Sequence, residues 1–171
     1  MRRYLDKASC KILINCLVVT RLGYCNSLLF GLPDRSIKPL QRLQNRAARI
    51  LTLTPKFESA SSARQQLHWL PVRERIAFKL LLFCYKAQHG LAPAYIADLL
   101  HPYVPAKEGL RERPYDLVVP RSRLKTYGDR SFEVAAPQLW NSLPVEIRAS
   151  ETIEQFKSKL KTHLFQICYN C

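Results

Sequence analysis

The sequence predicts an all-α fold, an irregular multi-helix domain, from three observations. Apolar residues recur at helical spacing along most of its 171 residues. A hydrophobic share of 47% at this length is enough to bury a sizeable core. Only one segment, Leu117–Val119, can form a short strand, and Pro120 closes it at once.

The first helical segment runs from about Lys7 to Phe30, with Gly31 and Pro33 as stop signals and Gly23 as a possible break. The second follows, with Ser36 expected as its cap and Pro39 in its first turn, where a missing N–H is harmless. It should end near Leu53, before Pro55. Phe57–Ala63 is small and polar and reads as a loop, followed by a short helix over Ala63–Trp69.

Pro71 suits the start of the next helix, expected over Val72–His89. Ile76 to Tyr85 leaves almost no polar face, so this helix should be central, with Phe83 deeply buried. Gly90 can supply its left-handed C-terminal turn, with Leu91 folding back onto it. Ala94–Leu100 reads as a short helix. From about 101 to 116 the period is lost among Pro102, Pro105, Gly109 and Pro114, so a linker or mobile Pro-rich loop is expected there. Asp129–Asn141 should be helical despite Pro137. Thr152 and Gln155 form a capping box for a last helix, with Ile153, Phe156, Leu160, Leu164 and Ile167 on one face. Trp69 and Trp140 are expected as core anchors.

The formal net charge of +14, from 27 Lys and Arg against 13 Asp and Glu, points to a polyanionic partner, RNA or DNA. The clearest candidate surface lies on the second helix. At about 100° per residue, Ile37, Leu40, Leu43, Ala47, Ile50 and Leu51 gather on one side. Lys38, Arg42, Arg46 and Arg49 fall in a stripe on the other, extended by Arg35. No acid occurs between Asp34 and Glu58, whereas solvated helices usually intersperse Glu among their cations. Such a stripe suits phosphate contacts; the alternative is an ordinary solvated face.

A second basic patch holds Arg121, Arg123, Lys125 and Arg130, with Tyr127 and Gly128 among them. In an extended segment Arg121, Arg123 and Lys125 would point the same way. Tyr127 can stack on a base or be half-buried. A third cluster, Lys157, Lys159 and Lys161, reads as solvated helix surface, with the Lys159 stem lying toward the apolar side.

The six cysteines mostly sit in apolar helical patterns, as small hydrophobes. His163, Cys168 and Cys171 have suggestive spacing, but a structural zinc needs four ligands and no fourth lies nearby, so no metal or cofactor is expected. No cleavage site follows the apolar run Ile12–Val19. Asn15, Arg21 and Asn26 interrupt Ile12–Leu32 as a membrane span. A reducing nuclear or cytoplasmic setting, with no membrane partner, is the expectation.

Four strings occur in order: LGYCNSLLFGLP (Leu22–Pro33), LQRLQNRAARIL (Leu40–Leu51), LHWLPVRERIAFKLLLFCYKA (Leu67–Ala87), and VPRSRLKTYGDRSF with LWNSLP ending at Pro144. Together they resemble the C-terminal part of the reverse-transcriptase polyprotein of LINE-type, jockey-like non-LTR retrotransposons, from about Leu13 to about Phe165. The resemblance implies a helical thumb-like part over 1–55 and a C-terminal extension over 56–171. It implies that Arg42, Arg46 and Arg49 are backbone contacts on a template–primer, and that the first helix lies where a polymerase palm would dock. In that family the palm and the endonuclease precede this region, so the chain itself is expected not to be an enzyme. The residues agree: two-metal polymerase chemistry needs clustered carboxylates, whereas Asp6, Asp34, Asp98, Asp116 and Asp129 are scattered. Three functional readings follow: a non-catalytic nucleic-acid-binding fragment, a translated remnant with no selected function, and a helical protein-interaction module.

Overall fold

A computed structural model of the chain describes residues 4–105, 115–124 and 126–169. The fold is all-α. In chain order the helices are α1 (Lys7–Ile14), α2 (Thr20–Gly23), α3 (Asp34–Thr52), α4 (Ala60–Gln66), α5 (Val72–Gln88), α6 (Ala94–Ala97), α7 (Phe132–Asn141), α8 (Val145–Arg148) and α9 (Ile153–Tyr169). A π-turn, Asn15–Val19, joins α1 to α2, and 3-10 turns occupy Asn26–Leu29 and Gly128–Arg130. Among the described residues no helix is long and apolar enough to cross a membrane.

The chain divides by contact into two compact units. One comprises Met1–Ile76 with Leu164–Cys171, the other Ala77–His163. This division is different in kind from the 1–55 and 56–171 parts that the resemblance implies.

In the first unit Asp6 caps α1, its carboxylate accepting from the N–H groups of Ala8 at 3.1 Å and Ser9 at 3.3 Å. Gly23 ends the first helical segment, because the chain turns extended at Tyr24 and left-handed at Cys25. α3 begins two residues before the expected cap, with Pro33 extended ahead of Asp34. Ser36 is therefore inside the helix, and Pro39 falls in its second turn. There its missing N–H leaves the Arg35 carbonyl without a helical partner. α4 starts earlier than expected because the Ser59 hydroxyl caps it, accepting from Ser61 N–H at 3.2 Å. Ile37, Val72 and Ile76 form a core cluster, with Leu29, Phe30, Leu32 and Leu40 packed against it. Trp69 is half-buried rather than a core anchor; its carbonyl accepts from the Tyr169 hydroxyl at 2.7 Å.

The second unit is built on aromatic packing. Phe156 is fully buried, with its ring centroid 4.4 Å from Tyr85 and 5.6 Å from Trp140. The Tyr85 hydroxyl finds an acceptor in the Ser150 carbonyl at 3.0 Å. Leu80, Leu81 and Cys84 of α5 complete this core, but Phe83 is only half-buried, with the Lys79 ammonium 5.5 Å from its ring centre. Gly90 takes the left-handed turn (φ +67) and Leu91 N–H reaches back to the Lys86 carbonyl at 2.8 Å, as a Schellman closure requires. Leu91 itself stays exposed.

α7 accommodates Pro137 in its second turn, buried. The Thr152 hydroxyl caps α9 through Gln155 N–H at 3.3 Å, as the sequence predicts. Within α9, Phe156 and Leu160 are buried while Ile167, in the part of the helix belonging to the first unit, is exposed.

The expected strand at Leu117–Val119 reduces to one antiparallel bridge, Leu117 with Pro102. Pro102 has no N–H to extend a ladder, and Pro105 and Pro120 bracket the pair. The bridge is closed by Tyr103 N–H to the Asp116 carbonyl (2.9 Å) and Val118 N–H to the His101 carbonyl (2.8 Å). Of the Pro-rich stretch 101–116, residues 106–114 lie outside the described residues.

Candidate nucleic-acid interface

α3 carries the arginine stripe. Its buried side consists of Ile37, Gln44, Ala47, Ala48 and Leu51. Leu43 and Ile50, expected on that side, are 44% and 48% exposed. The reason is a polar seam that takes their place. Gln44, 0% exposed, donates to the Leu70 carbonyl at 2.9 Å. Gln41 accepts from Val72 N–H at 2.9 Å and donates to Gln44 and Asn45. Asn45 also accepts from Arg64 of α4. α3 thus turns amides, not only leucines, toward the chain it packs against.

On the opposite side Arg35, Lys38, Arg42 and Arg46 are exposed. Arg35, Arg42 and Arg46 have no hydrogen-bond or ion-pair partner among the described residues. Arg49 is different: it is half-buried and donates to the Glu58 carbonyl at 2.7 Å, so it serves the turn after α3. The one nearby acid, Asp34, is occupied by Arg73. The hydrogen bond and charge of Arg73 hold the Asp34 carboxyl below its usual range. Arg42 and Arg46 stand four residues apart, a like-charge spacing that costs a helix roughly 0.2–0.5 kcal/mol. Nothing on α3 offsets that repulsion.

The second patch belongs to the other unit. Arg121, Arg123 and Tyr127 are exposed, Tyr127 at 78%, and Arg130 is half-buried. The chain bends at Arg123, and the Leu124 carbonyl accepts from Gly128 N–H at 2.8 Å, closing a turn. A Cβ at Gly128 would lie 1.9 Å from the Ser122 hydroxyl, so a larger residue there would have to push that side chain off its bond to the Leu124 carbonyl. Lys125 lies outside the described residues. In the third cluster the Lys159 ammonium donates to the Glu146 carbonyl at 3.1 Å, while Lys161 is exposed.

No protein-family model, no curated protein and no solved structure matches the chain. Its chemistry is therefore read from its own residues.

Among the described residues no group of three or more His, Cys, Asp or Glu is gathered as a metal site would need. Cys168 faces Glu74 instead; burial first, then that carboxylate, push its thiol up to about 11. Cys171 is outside the described residues.

The first helical segment turns apolar side chains outward. Ile12 and Leu17 are 63% and 66% exposed, and Leu13, Tyr24 and Leu28 are exposed too. The available signal was the run Ile12–Val19, more apolar all round than one packed face can use.

Proposed function

We propose that the chain is a non-catalytic, C-terminal portion of a LINE-type, jockey-like reverse-transcriptase polyprotein that binds RNA or DNA with little regard to sequence. The observation that carries this reading is the unpaired set Arg35, Arg42 and Arg46 on the free side of α3. An acid-free helix face under mutual repulsion gains most from a partner that brings negative charge at regular spacing. A phosphate backbone does so, and the counterions it releases supply the driving force. Arg121, Arg123, Tyr127 and Arg130 form a secondary surface of the same character. The motif resemblance supports the same class of partner, and a nuclear or cytoplasmic site of action accords with it.

The test is binding of fluorescent duplex and single-stranded oligonucleotides of unrelated sequence across a salt series. Affinity should fall steeply and log-linearly with salt, with little difference between sequences. Absence of binding at low salt would replace this reading with that of a translated remnant.

A second reading rests on a separate observation, the outward Ile12, Leu13 and Leu17. An apolar face of this kind favours a helical module that docks on a polymerase palm, and a remnant lacking that partner would expose it equally. Co-purification with a separately expressed palm, lost on Leu17→Glu, distinguishes docking from remnant.

A further inference from the structure

Among the described residues Tyr115 shares a left-handed backbone and an exposed position with Cys25, Leu53 and His68; what sets it apart is how its neighbours are anchored. Its backbone is left-handed (φ 69), a region that L side chains with a Cβ avoid. Its side chain is nonetheless 53% exposed, so burial of the ring does not account for the conformation.

The residues around it are fixed from within the same unit. The Trp140 indole N–H donates to the Tyr115 carbonyl at 2.7 Å. Asp116 pairs with Arg148, with side chains only 15% and 7% exposed. Asn141 brackets Leu117 from both sides, accepting from its N–H at 2.9 Å and donating to its carbonyl at 2.8 Å. Three consecutive residues are thus tied to α7 and α8 while the first of them points a ring at solvent. Strain of this kind persists only where the surrounding structure imposes it.

Tyr103, also exposed, is hydrogen-bonded across the bridge to Asp116. Val104, Val118 and Val119 are exposed beside them in sequence, and the same coil continues into exposed Arg121 and Arg123. The local acid, Asp116, is neutralised by Arg148. Exposed aromatic faces with unpaired guanidiniums along the chain are what an unpaired polynucleotide strand requires: rings for its bases and cations for its phosphates.

We propose that Tyr115, with Tyr103 beside it, is a pre-set stacking platform for an unpaired base of a single strand, with Arg121 and Arg123 taking the flanking phosphates. The proposal deepens the nucleic-acid reading and rests on it. It adds a preference that the α3 arginines cannot supply, because duplex bases are already stacked on one another.

The test compares Tyr115→Leu, Tyr115→Phe and Tyr115→Gly on single-stranded and duplex oligonucleotides at one low salt concentration. Tyr115→Leu should weaken single-strand binding by about 5- to 150-fold, the range for loss of one stacked base, and leave duplex binding unchanged. Tyr115→Phe should bind as the unaltered chain does. Tyr115→Gly should lose single-strand affinity while its unfolding midpoint holds or rises, since glycine accepts the left-handed backbone. Trp140 fluorescence, read in a Trp69→Phe background, reports whether each variant keeps the local fold. Single-strand binding that survives Tyr115→Leu overturns the platform, leaves the nucleic-acid reading standing and hands the exposed rings to a protein partner. Equal losses on duplex and single strand overturn the single-strand preference. Failure of the unaltered chain to bind any oligonucleotide overturns both readings.

Discussion

The side-chain amide of Gln44 on α3 donates to the main-chain carbonyl of Leu70, 26 residues further along. Leu70 lies just before α5, where the chain has no helical partner for that carbonyl. One buried amide thereby satisfies a main-chain group that would otherwise be stranded in the interior. Gln44→Leu should keep the volume and remove the donor. The expected loss is about 1–3 kcal/mol, the desolvation cost of an unsatisfied acceptor. Urea unfolding measures it, and a stability equal to that of the unaltered chain would show that the carbonyl finds another partner.

The aromatic stack sets a contrast between two phenylalanines. Phe156, fully buried between Tyr85 and Trp140, should cost on the order of 3–5 kcal/mol when replaced by alanine. Phe83, half-buried under Lys79, should cost clearly less. Equal losses in chemical denaturation would mean that the burial difference is not real in solution.

For the arginine face, a triple change of Arg35, Arg42 and Arg46 to Gln should leave unfolding unchanged and weaken binding to all sequences alike. The slope of log affinity against log salt should fall by roughly 2–3 units if each touches a duplex phosphate. Arg49→Gln should do the reverse, lowering stability by removing its bond to the Glu58 carbonyl while sparing the slope. Replacing Lys157, Lys159 and Lys161 removes the same charge elsewhere. If that control weakens binding equally, net charge alone is at work.

Asp34 and Arg73 make a pH-dependent contribution. The folded-state pKa of Asp34 is depressed, so the unfolded chain binds its proton first as pH falls. The stabilisation is therefore fully present above the unfolded value near 4 and is lost as pH drops through the lower folded value. Asp34→Asn should narrow its stability gap to the unaltered chain between about pH 5 and pH 2. A gap that stays constant over that range would show that the pair contributes nothing.

The thiols should separate by burial. Cys16 and Cys25 are exposed and should alkylate readily at pH 8. Cys84, pushed up to about 12 mainly by burial, should react only as the protein unfolds. Mass spectrometry after brief iodoacetamide treatment gives the order, and early labelling of Cys84 would contradict the burial.

What could be read from the sequence was what local chemistry decides. α5 is legible from Pro71 to Gly90 because its start, its apolar content and its left-handed stop are all contiguous. The Thr152 cap of α9 is legible for the same reason. The phase of α3 was not. Choosing between Leu43 and Gln44 as the inward residue depends on a carbonyl 26 residues away, and hydrophobicity alone selects the leucine. The candidate site divides likewise. The exposed positions of Arg35, Arg42 and Arg46 follow from helical spacing, whereas the engagement of Arg49 depends on how the chain turns back at Glu58. Tyr115 was invisible because no residue type announces a left-handed tyrosine.

The π-turn over Asn15–Val19 holds one residue more than a regular helical turn would. The segment from Lys7 to Gly23 therefore has a built-in phase adjuster. Removing any single residue between 15 and 19 would let the segment close as regular α-helix, because the wide turn has absorbed the extra residue, and the residues on either side would face as before. Ile12 and Leu13 would keep their outward direction, as would Leu22 and the chain beyond. The same one-codon deletion inside α1, where no wide turn can absorb it, would swing everything before it by about 100° and re-aim the outward apolar face.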